Sequence, residues 1–190
     1  GRPLLNTKFG DDPHRGIRFG LSAIKNVGEN IVQAIIQNRA EAGIFKNLTE
    51  FITRVQHKDL NKKSLEALIK CGALETFGVE RNRLLMNVDE IINFKNAVRR
   101  LNKNNQVDLF GNPLNNISLK LKPSTPASPQ VKLDWEKELL GLYVSDHPLN
   151  RYLAQLRATG VKTIKEIREI KSERSWSTVG GLISKIQKIV

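Results

Sequence analysis

With 190 residues, 39% of them hydrophobic, the chain is long enough to bury a core and too apolar to be wholly disordered. No apolar run approaches the ~18 residues a membrane helix needs, which excludes a spanning segment. The formal net charge of +12 points to a polyanionic partner, nucleic acid first, with added solubility as the bland alternative. Cys71 is the one cysteine. It cannot form an internal disulfide, nothing in cysteine usage indicates an oxidising compartment, and the cytoplasm is the expected location.

In chain order, residues 1–15 hold Pro3, Gly10 and Pro13 without hydrophobic periodicity and read as an extended lead-in. The opening Gly1-Arg2-Pro3 has neither an initiator Met nor a leader, so the chain reads as a piece cut from something longer. Residues 16–102 are helical in pattern. Gly28 opens a helix with Ile31, Val32, Ile35 and Ile36 at helical spacing, and Gly43 ends it. Asn47 with Glu50 has capping-box spacing for a short helix through Phe51, Ile52 and Val55. Asn61 is placed to cap Lys62–Lys70, which Gly72 stops, and a longer helix is expected from Glu80 to Asn102.

Residues 103–133 carry four of the seven prolines among Asn, Lys and Ser, the composition of a mobile linker. The charge excess also concentrates here: residues 91–133 hold 7 Lys+Arg against 1 Asp+Glu, whereas residues 16–90 hold 11 against 9. Asp134 is the expected cap of a helix Trp135–Val144, and Thr163 with Glu166 of another, within a short helical segment 134–176. Residues 177–190 read as one strand that bends at Gly180-Gly181 and lacks partners of its own. The expected fold class is mainly α.

The run Leu21-Ser-Ala-Ile-Lys-Asn-Val-Gly-Glu-Asn-Ile-Val has the pattern of a helix-hairpin-helix. A tight turn at Asn26-Val27-Gly28 leaves backbone N–H groups free at a helix start, where the helix dipole also favours an anion. Gly28 has no Cβ to keep a phosphate away, Val27 is expected to pin the turn inward, and Asn26 tolerates a positive φ. Lys25, Glu29 and Asn30 flank the turn. A poorer copy follows in Phe51 to Ile69, without a turn glycine, where Asn61, Lys62 and Lys63 supply the contacts with Arg54 and Lys58 nearby. Two such corners are suited to gripping both strands of a duplex without reading sequence. Each is also compatible with an ordinary helical turn.

Gln106-Val107-Asp108-Leu109-Phe110 places two apolar anchors in a polar linker. Leu109 and Phe110 suit an apolar pocket on a partner, with Gln106 adding hydrogen bonds and Asp108 between them. The alternative is that both fold back onto the preceding helix.

Together these stretches resemble the bacterial DNA polymerase III alpha subunit family. The likeness is carried by Ile17-Arg-Phe-Gly-Leu-Ser-Ala-Ile-Lys-Asn-Val-Gly-Glu, by Leu60-Asn-Lys-Lys-Ser-Leu-Glu-Ala-Leu-Ile-Lys-Cys-Gly-Ala-Leu and by Glu136-Lys-Glu-Leu-Leu-Gly-Leu-Tyr-Val-Ser-Asp-His-Pro-Leu. The resemblance implies the region after the catalytic domain. It comprises a tandem helix-hairpin-helix bundle holding double-stranded or primer-template DNA, then a linker peptide for the bacterial sliding clamp, with Gln106 to Phe110 where that peptide belongs. Two to three further helices and the first strand of a truncated oligonucleotide-binding barrel follow, all beside the remaining domains of the polymerase. Asn26 stands where such hairpins usually have glycine, and Asp146 where the family more often has glycine.

The chain itself is expected to be non-catalytic and to need no cofactor, although its parent would be a DNA-directed DNA polymerase. Asp11-Asp12, Asp89-Glu90 and Asp108 do not converge on paired metal ions. His14, His57 and His147 lack ligand spacing, Cys71 reads as a small core residue, and Trp135 and Trp176 read as packing anchors. Two other readings stay open: a stand-alone tandem hairpin module of a repair or recombination protein, and a protein-interaction scaffold whose hairpins are purely structural.

Overall fold

The computed structural model describes residues 19–104, 119–170, 176–183 and 186–188. The lead-in 1–15, the peptide Gln106–Phe110 and part of the final expected strand therefore lie outside the described residues. The chain divides after Val144 into two units. Among the described residues the regular structure is helical throughout.

In the first unit, a one-turn 3₁₀ helix Leu21–Ala23 leads to α1 (Glu29–Ala42), α2 (Leu48–Arg54) and α3 (Lys62–Lys70). After the turn Glu75–Phe77 come α4 (Arg81–Met86), α5 (Val88–Asn104) and α6 (Pro129–Leu140). The leading arm of the first hairpin is thus a single 3₁₀ turn, shorter than the helical arm its pattern suggested. The stops and starts follow local chemistry. Gly43 takes φ 76° after α1, and Asn47 Oδ1 accepts the Glu50 N–H at 2.9 Å. Ile31, Ile35, Phe51, Ile52, Leu60, Leu65, Leu68 and Ile91 are fully buried and tie α1, α2, α3 and α5 into one core. Burying each such side chain contributes about 1.5–3 kcal/mol before chain entropy is set against it. Ile36, placed on the same stripe as Ile35, is half exposed instead.

The expected helix Glu80–Asn102 breaks at Asn87. Glu80 lies outside it as a cap, accepting the Asn82 and Arg83 N–H groups. Asn87 is buried and turns its amide to the backbone of Lys122, accepting that N–H at 2.9 Å and donating to that carbonyl at 3.1 Å. A side chain paired in this way competes with the helical ladder. Its partner belongs to the stretch read as linker. Residues 119–128 are a docked strap: Leu119 and Leu121 pack on the core, Arg83 donates to the Leu121 carbonyl, and Asn82 donates to that of Thr125. Proline only removes donors, and the strap is held mainly through its carbonyls.

The helix expected at Trp135–Val144 begins earlier and ends earlier. Ser128 caps it with Pro129 in the first turn, Asp134 is an interior residue accepting from Gln130, and Gly141 in the left-handed region ends it. One buried ion network holds this half together. Arg81 donates to Glu136 at 2.8 Å, to Glu75 at 2.6 Å and to the Lys70 carbonyl, with Glu136 fully buried. The Arg81 guanidinium lies over Gly72, where an added Cβ would come within 2.6 Å of it.

The second unit holds a 3₁₀ helix Pro148–Tyr152, α7 (Leu153–Ala158) and α8 (Ile164–Glu169). Asp146 accepts the His147 N–H and the Asn150 amide, which accounts physically for an aspartate at a position where glycine was the expectation. Thr163 and Glu166 form the expected capping box of α8. Residues 176–183 have no regular secondary structure and are joined to the turn before α8 by Lys162 N–H to Thr178 O at 3.0 Å. No strand ladder forms among the described residues. Trp176, expected as a packing anchor, is fully exposed, whereas Trp135 is half-buried.

Candidate nucleic-acid interface

The first corner is built from its two buried pins. Ile24 and Val27 are buried on either side of the turn, and Val27 N–H closes it onto the Ile24 carbonyl at 3.1 Å. Between them Asn26 takes φ 70°, the sole positive φ of a non-glycine among the described residues. Lys25 N–H donates to the Leu139 carbonyl at 3.0 Å, anchoring the corner to the end of α6. The Lys25 and Asn26 side chains are exposed.

Gly28 is extended, at φ −77° and ψ 157°, and provides no side-chain cap. The first bond of α1 is Val32 N–H to Gly28 O. The N–H groups of Gly28, Glu29, Asn30 and Ile31 therefore meet no acceptor among the described residues. A Cβ at Gly28 would touch nothing within 4 Å, so the fold does not demand glycine there. Its absence leaves open space before the exposed residues Gly28, Glu29 and Asn30 at the positive end of a 14-residue helix, while Ile31 is fully buried. The Glu29 carboxylate turns along the helix to accept from Gln33 at 2.7 Å.

The second corner satisfies itself far more completely. Asn61 and Ser64 form a reciprocal box, Ser64 N–H to Asn61 Oδ1 at 3.1 Å and Asn61 N–H to Ser64 Oγ at 3.0 Å. Only the Lys62 and Lys63 N–H groups remain without an acceptor at the start of α3. Lys58 and Lys63 are exposed and form no ion pair among the described residues. Lys62 is paired to Asp89 at 2.7 Å, and that hydrogen bond raises its ammonium above the usual lysine value.

Arg54, expected near the second corner, is bound within the fold. Its guanidinium pairs with Glu50, donates to the carbonyls of Asn38 and Gly43, and stacks 4.4 Å over the Phe45 ring. Those partners close the end of α1 and leave Arg54 fastening helices.

The two corners meet. Asn30, in the first turn of α1, donates to Asp59 of the second loop at 3.2 Å. That bond joins the corner Lys25, Asn26, Val27, Gly28, Glu29 and Asn30 to the loop that runs from Lys58 to Asn61, Lys62 and Lys63.

Lys95 was missed by the sequence reading. It is 4% exposed on α5, and its ammonium donates to the His57 carbonyl at 2.7 Å and the Leu60 carbonyl at 2.6 Å. Burial lowers its pKa, Arg99 adds in the same direction and Asp59 opposes. The available signal was a lysine on the apolar stripe of α5, four residues after Ile91 and three before Val98.

Among the described residues, no cluster of three or more His, Cys, Asp or Glu is gathered to hold a metal. Cys71 is fully buried and burial pushes its thiol up to about 11. Among those residues no helix is long and apolar enough to cross a membrane.

A family model for the helix-hairpin-helix motif matches residues 6–84. The DNA polymerase III subunit alpha of Thermus aquaticus is 39% identical over 160 residues, 83% of this chain and 12% of the relative. That of Pseudomonas aeruginosa is 35% identical over 195 residues, covering 93% of this chain and 16% of the relative. The Pasteurella multocida subunit is 34% identical over 187 residues, with 95% and 16% covered. The chain spans about a sixth or less of the length of these relatives. By this likeness along most of its length, the chain belongs, as a segment, to the DNA polymerase III alpha subunit family.

Proposed function

We propose that this chain is a duplex-gripping segment of a bacterial replicative polymerase, holding double-stranded or primer-template DNA through its two corners without reading sequence. The observation that carries the reading is the contact Asn30–Asp59, which brings the first corner, with the unpaired N–H groups of the exposed Gly28, Glu29 and Asn30, to the loop bearing the second corner's lysines. Backbone donors and lysines recognise phosphate, and phosphate is the same for every base pair. The parent protein would be a nucleotidyltransferase of the cytoplasm, and the chemistry would reside outside this segment. A stand-alone repair or recombination module fits less well, because the relatives reported above are polymerase III alpha subunits.

The test is duplex affinity of random sequence against salt. Neutralising Z phosphates gives a slope of about −0.9Z in log K against log salt. A flat line overturns the reading.

We further propose that Gln106, Asp108, Leu109 and Phe110 dock on the bacterial sliding clamp. The support is the pairing of two apolar anchors with a polar hook in a polar stretch. Capture of purified clamp by the chain, abolished by Leu109→Ala with Phe110→Ala, is the expected outcome; capture by the double variant overturns it.

A purely structural role for the hairpins has one observation in its favour, since Arg54 and Lys62 are both engaged with internal carboxylates. Unchanged duplex affinity in Lys62→Ala with Lys63→Ala would support it.

A further inference from the structure

We propose that Lys95 is a positioning residue for the second corner, serving as a tethered cation that turns the carbonyls of its loop inward and its donors outward. The inference rests on the duplex-binding reading above.

The loop Val55–Asn61 has no glycine and no side chain of its own that reaches its carbonyls from beneath. Those carbonyls are nevertheless fastened one after another. Lys95 takes Leu60 O and shares His57 O with the Leu60 N–H at 3.2 Å, Ser64 Oγ takes Asp59 O at 2.6 Å, and Leu65 N–H takes Asn61 O at 2.9 Å. In a planar trans peptide the C=O of one residue and the N–H of the next point in opposite directions. Holding the His57 carbonyl toward α5 therefore aims the Lys58 N–H away from it. That N–H has no acceptor among the described residues.

A core position on α5 has no packing need for an ammonium. Ile91 and Val98, on the same stripe, are apolar and fully covered. Among the described residues Lys95 forms no ion pair with a carboxylate, so the two carbonyls are its only short-range partners. A desolvated charge in such a place is retained at a cost unless strong charge-assisted bonds offset it. Those bonds end on the loop that carries Lys58, Lys62 and Lys63. A methionine would fill the same volume, leave the Leu60 carbonyl unsatisfied and leave the His57 carbonyl only its turn bond from Leu60 N–H.

The experiment uses the whole chain and a random-sequence duplex. Lys95→Met is measured alone, with Lys63→Ala, and with Gly28→Ser, beside a thermal melt and backbone amide exchange without DNA. Expected are faster exchange across residues 57–61, a duplex affinity reduced about tenfold at low salt, and a salt slope shallower by about one to two units. Expected too is a non-additive loss with Lys63→Ala, because both act at one corner, and an additive loss with Gly28→Ser, which acts at the other. A purely structural role would weaken both corners alike and add equally with each.

A folded Lys95→Met variant that keeps wild-type affinity and slope overturns the proposal, as does an additive loss with Lys63→Ala. If the methionine variant does not fold, Lys95→Leu, which likewise lacks a donor, is read in the same way. Unfolding of both would make Lys95 a core anchor and also overturn it. A wild-type chain that fails to bind duplex defeats the underlying reading instead, and does so before any variant is made.

Discussion

The two corners share a pattern of helix, turn and helix, yet they dispose of their backbone donors in opposite ways. At the first, Gly28 caps α1 with nothing, and the N–H groups of the exposed Gly28, Glu29 and Asn30 are left without an acceptor among the described residues. At the second, Asn61 and Ser64 cap α3 reciprocally and leave two. Good caps stabilise a helix by satisfying the donors that an anion would otherwise use. A corner built to stand alone and a corner built to hold phosphate are therefore chemically opposed. The first corner offers backbone, and the second offers the ammonium groups of Lys58 and Lys63.

The largest expected effect breaks the frame that supports the comparison. Glu136→Ala strips the buried Arg81 of one of its two carboxylate partners and the Val144 N–H of its acceptor, which costs on the order of 3 kcal/mol of stability. The first corner should suffer more than the second, because Lys25 is anchored to the Leu139 carbonyl of the same helix. Denaturant unfolding gives the first quantity, and amide exchange at residues 25–31 against 57–63 gives the second.

Next comes Gly28→Ser. The new hydroxyl can cap α1, so stability should hold or rise by a few tenths of a kcal/mol, approximately. Duplex affinity should nevertheless fall about tenfold, because one donor is consumed and the open space is filled. A gain in melting temperature with unchanged affinity would remove the first corner from the interface. Asn61→Ala is the mirror experiment. Loss of the cap costs about 1 kcal/mol, while affinity stays within about twofold, since Asn61 already serves Ser64. A tenfold loss there would mean that its side chain reaches DNA.

How much of this could be read beforehand depended on whether the partner was near in sequence. The caps at Asn47, Asn61 and Thr163, the stop at Gly43, the inward Val27 and the positive φ of Asn26 are settled within four residues, and all were legible. Ile36 and the break at Asn87 were not. The first depends on which neighbours cover a face, the second on a backbone 35 residues away. The strap 119–128 was taken for linker because proline-rich composition reports on missing donors and says nothing of accepting carbonyls. At the candidate site, the exposure of Lys58 and Lys63 and the unfilled cap at Gly28 follow from local pattern. The Arg54 bonds to Asn38 and Gly43 and the Lys62–Asp89 pair were invisible, as was Lys95, whose partners lie 35 and 38 residues back on another element.

The smallest expected effect sharpens the comparison most. Lys62 sits at the second corner with its ammonium already occupied by Asp89, an exposed aspartate on α5. An exposed pair of this kind holds weakly and is screened by salt, so phosphate and Asp89 compete for one lysine. Asp89→Asn removes the competitor and one negative charge from the approach to the corner. Affinity for random duplex should rise about threefold at low salt, and the slope should steepen by about one unit as a further phosphate is neutralised. Stability should be almost unchanged. The gain must vanish when Lys62→Ala is combined with Asp89→Asn, because the effect passes through that ammonium alone. A gain that persists without Lys62 would mean that Asp89 acts only as a distant repulsive charge, and that Lys62 belongs to the fold in the same sense as Arg54.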